Sequence, residues 1–121
     1  PNDAAGVHHC AFTFDTLDDL LLNYERLRDI GIKPFYSINH GPTTSLYYKD
    51  PDGTNIELQV DNFATIEEST AFFSSAEFAE NPVGVEFDPD DMLAQLRAGV
   101  PRETLMKRPN VGGRNITSTP L

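Results

Sequence analysis

Residues 40–57 read His40-Gly41-Pro42-Thr43-Thr44-Ser45-Leu46-Tyr47-Tyr48-Lys49-Asp50-Pro51-Asp52-Gly53-Thr54-Asn55-Ile56-Glu57. Two β-rich runs, Thr43–Lys49 and Asn55–Val60, flank Asp50-Pro51-Asp52-Gly53. That tetrad is a tight-turn signal: aspartate bonds nearby backbone, proline presets φ, and glycine admits positive φ. Ser45 and Tyr47 have one parity on their strand, and Thr44, Leu46 and Tyr48 the other. The turn can therefore return Glu57 close to Tyr47 across the hairpin.

Working outward, Val7–Phe14 alternates and reads as a strand, with His9, Ala11 and Thr13 on one face and Cys10, Phe12 and Phe14 on the other. Asp15 and Thr16 offer helix N-caps. Leu17, Leu20, Leu21, Tyr24, Leu27 and Ile30 follow at helical spacing, and Gly31 stops the helix. Lys33–Asn39 reads as another strand, so the order through Val60 is βαβββ. Beyond it, Thr65–Ser74 and Ser75–Glu80 read as helices. Asp88 followed by Pro89 opens a further helix to about Arg97, and Pro101–Lys107 adds another turn or two.

The domain plan is thus a linker or cut end over 1–6, a βαβββ unit over 7–63, a helical segment over 64–109, and a loose tail over 110–121. The fold class is α+β. The apolar sets Cys10/Phe12/Phe14 and Ile56/Leu58/Val60 are expected to pack under the Leu17–Ile30 helix. The opposite faces carry His9, Glu57 and Gln59, as a cup around a site would; a solvated polar face gives the same alternation.

The 121 residues suffice for one modest core, and the formal net charge of −10 argues against nucleic acid or an anionic membrane as partner. No apolar run is long enough to span a bilayer. Cys10 is the single cysteine, so no intrachain disulfide forms; a reducing cytoplasm is the expected location.

The run from His40 to Glu57 resembles the signature of type I extradiol dioxygenases in the vicinal oxygen chelate superfamily. The histidine, the Leu46-Tyr47 pair, the Asp-Pro-x-Gly turn and the glutamate fall in register. Val7-His8-His9-Cys10-Ala11-Phe12 resembles that family's first metal-binding strand, and the likeness extends through Gln59–Phe63. It is greatest to single-domain biphenyl-2,3-diol-type enzymes, which act in aromatic catabolism.

The resemblance implies Fe(II), with Mn(II) as an alternative ion, held by His9 and Glu57. It implies His40 as the acid–base histidine and Tyr47 as the contact to the substrate hydroxyl, with a catechol-type diol and O2 as substrates. Imidazole and carboxylate donors suit ferrous iron, and histidine exchanges protons near neutral pH. His8 and His9 point to opposite faces, and His9 is the expected ligand. Tyr48 is the expected packing aromatic, as are Phe72, Phe73 and Phe78.

The family builds its site from paired βαβββ units, two halves of a cup-shaped barrel. A third ligand is therefore expected from outside this chain. It would come from an N-terminal unit cut off or held elsewhere, or from a second copy in a homo-oligomer. Two further functions share the scaffold: a glyoxalase-like Zn or Ni isomerase or lyase, which does not need the His40/Tyr47 pair, and a metal-free small-molecule binding protein.

Overall fold

A computed structural model describes residues 9–109, without the side chain of His9. Chain order is β1 (His9–Phe14), α1 (Leu17–Asp29), β2 (Tyr36–Asn39), β3 (Thr43–Lys49), β4 (Asn55–Asp61), α2 (Ile66–Phe73), α3 (Ala76–Glu80), β5 (Val85–Glu86), α4 (Pro89–Arg97) and α5 (Arg102–Met106). The βαβββ order stands. The expectations for residues 1–8 and the tail over 110–121 lie outside the described residues.

The strands form one open mixed sheet in the order β1-β4-β3-β2-β5. β1 runs parallel to β4, with His9 opposite Asn55 and Ala11 opposite Glu57. The β3–β4 hairpin places Tyr47 directly opposite Glu57. Its turn is held as its residues dictate: Asp50 Oδ1 accepts from the amides of Asp52 and Thr54, at 2.9 and 2.8 Å. Gly53 adopts φ +83°, in the left-handed region.

One sheet face carries the main core. Leu17, Leu20, Leu21 and Tyr24 of α1 pack with Leu46, Tyr48 and Val60 of the sheet and with Met92, Leu93 and Leu105 of α4 and α5. Each such burial of a large aliphatic side chain contributes about 1.5–3 kcal/mol. Thr16 caps α1 by accepting from the Asp19 amide, and Asp88 caps α4 ahead of Pro89. Polar contacts tie α4 and α5 to α1: Tyr24 donates to Asp90 at 2.7 Å, Arg28 to Asp90 at 2.8 Å, Arg97 to both Glu25 oxygens at 2.7 and 2.6 Å, and Arg102 to Asp18.

Three expectations need correction. Phe12 is 58% exposed rather than packed under α1. β1 is an edge strand in the described sheet, and α1 covers its Phe14 end only. Ile30 is 66% exposed, because it is the C-cap residue, past the last helical turn. β2 begins at Tyr36 rather than Lys33, since Pro34 offers no amide to a ladder. The short β5, which pairs Ile38 with Glu86 and Asn39 with Val85, was not foreseen; two residues carry too little alternation to read.

Candidate active site

The second face of the sheet builds the site. Parity sends Tyr48 into the main core, where burial pushes its hydroxyl pKa up to about 12. Tyr47 turns the other way and clusters with Tyr36, Ile38 and Val83. Its ring lies 5.8 Å from that of Tyr36 and 6.4 Å from that of Phe35, so the hydroxyl is delivered from a fixed aromatic stack.

His40 sits between β2 and β3, where its backbone amide donates to the Thr43 carbonyl at 2.8 Å. Its imidazole is held at both nitrogens. Nδ1 lies 2.7 Å from the Val83 carbonyl, and Nε2 lies 2.9 Å from the Tyr47 hydroxyl. A carbonyl only accepts, so Nδ1 carries a proton. In the neutral ring Nε2 is then an acceptor and receives a hydrogen bond from the Tyr47 hydroxyl, which keeps its proton.

Glu57 is buried, 7% exposed, and hydrogen-bonds the same tyrosine hydroxyl. Burial, and next the Glu57 charge, raise the Tyr47 hydroxyl well above the ordinary phenol range. Tyr47 therefore stays protonated and has one hydrogen to share between two acceptors.

His40, Tyr47 and Glu57 line a cavity of about 310 Å³ together with Pro42, Thr43, Phe73, Phe78 and Pro82. That size and mix, apolar walls with a few convergent polar groups, suits a small aromatic molecule. Phe73 and Phe78 meet edge to face at 5.1 Å between centroids. They are more than the packing residues the sequence suggested, since both also face this cavity.

Position 9 lies on β1, the strand next to Glu57's own, two residues before Ala11, which pairs with Glu57. The same register brings Gln59 Nε2 within 3.2 Å of Thr13 Oγ1, so Thr13 shares the face of Glu57 and Gln59. The donor types suit a ferrous ion: a buried carboxylate at a cavity, and a histidine on the adjacent strand. Among the described residues no cluster of three or more metal-ligating side chains occurs.

Sequence reasoning missed the shell behind His40. Asn39, 2% exposed, accepts from the Gly41 amide at 2.8 Å and donates to the Met106 carbonyl at 2.8 Å. Asn62 donates to Asn39 and to the Gly41 carbonyl, and accepts from Thr44 at 2.7 Å. Arg108, 7% exposed, donates to the carbonyls of Asn81 at 2.7 Å and Glu77 at 2.9 Å. The Asn81-Pro82-Val83-Gly84 run was readable as a turn, but nothing in it names the histidine it serves.

No described helix is long and apolar enough to cross a membrane. The family model for the Glyoxalase/Bleomycin resistance protein/Dioxygenase superfamily matches residues 1–58. The chain is 57% identical over 98 residues to Biphenyl-2,3-diol 1,2-dioxygenase 2 of Rhodococcus globerulus, covering 81% of this chain and 52% of that protein. It is 50% identical over 103 residues to Biphenyl-2,3-diol 1,2-dioxygenase 3 of the same organism, covering 85% and 54%. The chain thus spans about half the length of these curated relatives. No solved structure matches it. The βαβββ sheet, the His40–Tyr47–Glu57 constellation and these matches agree: the chain carries a Glyoxalase/Bleomycin resistance protein/Dioxygenase superfamily domain, matched over residues 1–58, and is extradiol dioxygenase-like.

Proposed function

We propose that this chain carries the reactive half of an Fe(II)-dependent extradiol dioxygenase that opens a catechol-type aromatic diol with O2. The observation that carries the reading is the contact of His40 Nε2 with the Tyr47 hydroxyl, 2.9 Å, on a cavity shared with Glu57. The similar proteins are by name dioxygenases of biphenyl-2,3-diol, which supports a diol of that class.

In this reading Glu57 and His9 are two of the metal's ligands. When bound, ferrous iron supplies the redox chemistry and the open positions at which diol and dioxygen meet. The chain's own residues do the rest. The Tyr47 hydroxyl, kept protonated, orients a substrate oxygen by hydrogen bonding. His40 accepts a diol proton at Nε2 and later returns it, a role worth about 10²–10⁴-fold. Phe73 and Phe78 line the apolar wall beside the ring and displace water from it.

A third ligand comes from a second βαβββ unit, on other residues of the same protein or on another copy; the half-length coverage and the open sheet support this. A cytoplasmic enzyme is the proposed setting. The test is oxygen uptake by anaerobically iron-loaded protein given a 2,3-dihydroxybiphenyl-type diol, with a zinc-loaded control. Uptake with iron alone, with a yellow ring-opened product, supports the reading. No oxygen uptake with iron sinks the reading, and zinc or nickel found in the purified protein instead would favour the glyoxalase-like isomerase.

A further inference from the structure

His40 can accept a proton at Nε2 only if its other nitrogen is committed as a donor. The acceptor that commits it, the Val83 carbonyl, belongs to a loop with no secondary structure of its own. That loop is nevertheless tightly held. Asn81, 4% exposed, accepts at Oδ1 from the amides of Val83 and Gly84, at 3.1 and 2.9 Å, and donates from Nδ2 to the Gly84 carbonyl at 2.8 Å. One side chain thereby closes the 81–84 turn.

Asn81 is held in turn. Its backbone carbonyl accepts from Arg108 Nη1 at 2.7 Å, and the same nitrogen reaches the His40 carbonyl at 3.4 Å. Nη2 takes the Glu77 carbonyl at 2.9 Å, and the guanidinium stacks 4.7 Å over Phe72. Arg108 forms no ion pair among the described residues, and its buried Nε has no hydrogen-bond partner there. Burying a cation without a carboxylate is costly. Burial indeed pulls its pKa down. A guanidinium spent on three backbone carbonyls around one histidine is better explained by geometry than by stability.

We propose that Asn81 and Arg108 are positioning residues for His40: together they fix the Val83 carbonyl on Nδ1 and so hold the imidazole in the tautomer whose Nε2 faces Tyr47. The kinetic consequence rests on the dioxygenase reading; the tautomer does not. Gly84 belongs to the same device, since a Cβ there would lie 2.4 Å from the Asn39 carbonyl oxygen, leaving no room for a side chain beside the histidine's backbone.

The experiment uses the complete, iron-free protein with isotope-labelled histidine nitrogens in mildly alkaline buffer. The His40 ring is assigned by its loss in His40→Gln. Wild type should show a protonated Nδ1 and a bare Nε2. Asn81→Ala should show a mixture of tautomers, and Asn81→Asp, which keeps the acceptor for both amides, should restore the wild-type pattern. In the iron-loaded protein Asn81→Ala and Arg108→Ala should lower kcat by about tenfold or more, within the His40 contribution, with KM little changed. A wild-type ring protonated at Nε2 and bare at Nδ1 overturns the proposal even if every variant fails to fold. So does a folded Asn81→Ala whose ring signals match wild type. A wild-type protein with the stated tautomer but no diol cleavage would instead remove the activity and leave the positioning of His40 in place.

Discussion

Tyr47 and Glu57 face one another directly across the β3–β4 hairpin, and the tyrosine's hydroxyl reaches both that carboxylate and His40 Nε2. A register shift of one residue would turn Tyr48 to the cavity and bury Tyr47 under α1. The Asp50–Gly53 turn therefore does chemical as well as structural duty: it sets which tyrosine meets the histidine.

His40→Ala is expected to lower kcat for diol cleavage by about 10²–10⁴-fold while iron content stays at the wild-type level. Metal analysis of the purified variant beside its steady-state kinetics checks this. A variant that loses its iron would make His40 a ligand rather than an acid–base group.

Removing only the hydroxyl separates Tyr47's two jobs. Tyr47→Phe keeps the ring stack with Phe35 and Tyr36 but leaves both His40 and Glu57 without that partner. Hydrogen bonds to charged groups contribute about 1.5–3 kcal/mol, so kcat/KM should fall by about 10- to 100-fold. Thermal stability should fall too, by about 1–3 kcal/mol, because buried groups lose a partner. An unchanged kcat/KM would mean the hydroxyl contacts nothing that reacts.

Gly84→Ala should destabilise the protein by more than about 1 kcal/mol and slow turnover together. The residue adopts φ +127°, and the obstructing atoms are backbone, the Asn39 carbonyl oxygen and His40 Cα at 2.9 Å, which cannot swing aside. Chemical denaturation and kcat measured on one preparation test the coupling. Gly99→Ala is the control: it shares a positive φ but meets nothing within 4 Å, so it should cost stability without slowing turnover.

Acid should loosen the C-terminal helices first. Arg102 lowers the Asp18 pKa, Arg97 that of Glu25, and Tyr24 and Arg28 that of Asp90. For a carboxyl whose folded pKa lies below its unfolded value, the stabilisation is present above the unfolded value, about 4, and is lost as pH falls through the folded one. Because these pairs are exposed, the effect should be modest and weaker in salt. A melting temperature that falls below about pH 4, less so in Asp90→Asn, is the expected result; a flat profile would show that the pairs contribute nothing to docking α4 and α5.

Much of this was legible in the residues. Thr16, Asp88 and the Asp-Pro-Asp-Gly turn acted through local hydrogen bonds that their own side chains specify, so the element order could be read directly. Tyr47 opposite Glu57 followed from parity. Phe12 was misread because strand alternation records which residues could be buried, whereas its exposure depends on how far α1 extends over an edge strand. Asn81, Val83 and Arg108 were invisible for a different reason. They reach His40 from 41, 43 and 68 positions away through backbone carbonyls, and a carbonyl has no residue type to recognise.

The central claim is that this site puts dioxygen into a diol ring. Iron-loaded protein given a 2,3-dihydroxybiphenyl-type diol under isotopically heavy dioxygen tests it most directly. Mass spectrometry of the ring-opened product should show incorporation of both oxygen atoms, and the product should vanish in Glu57→Ala. A product free of heavy oxygen, or equal product from Glu57→Ala, would contradict the account.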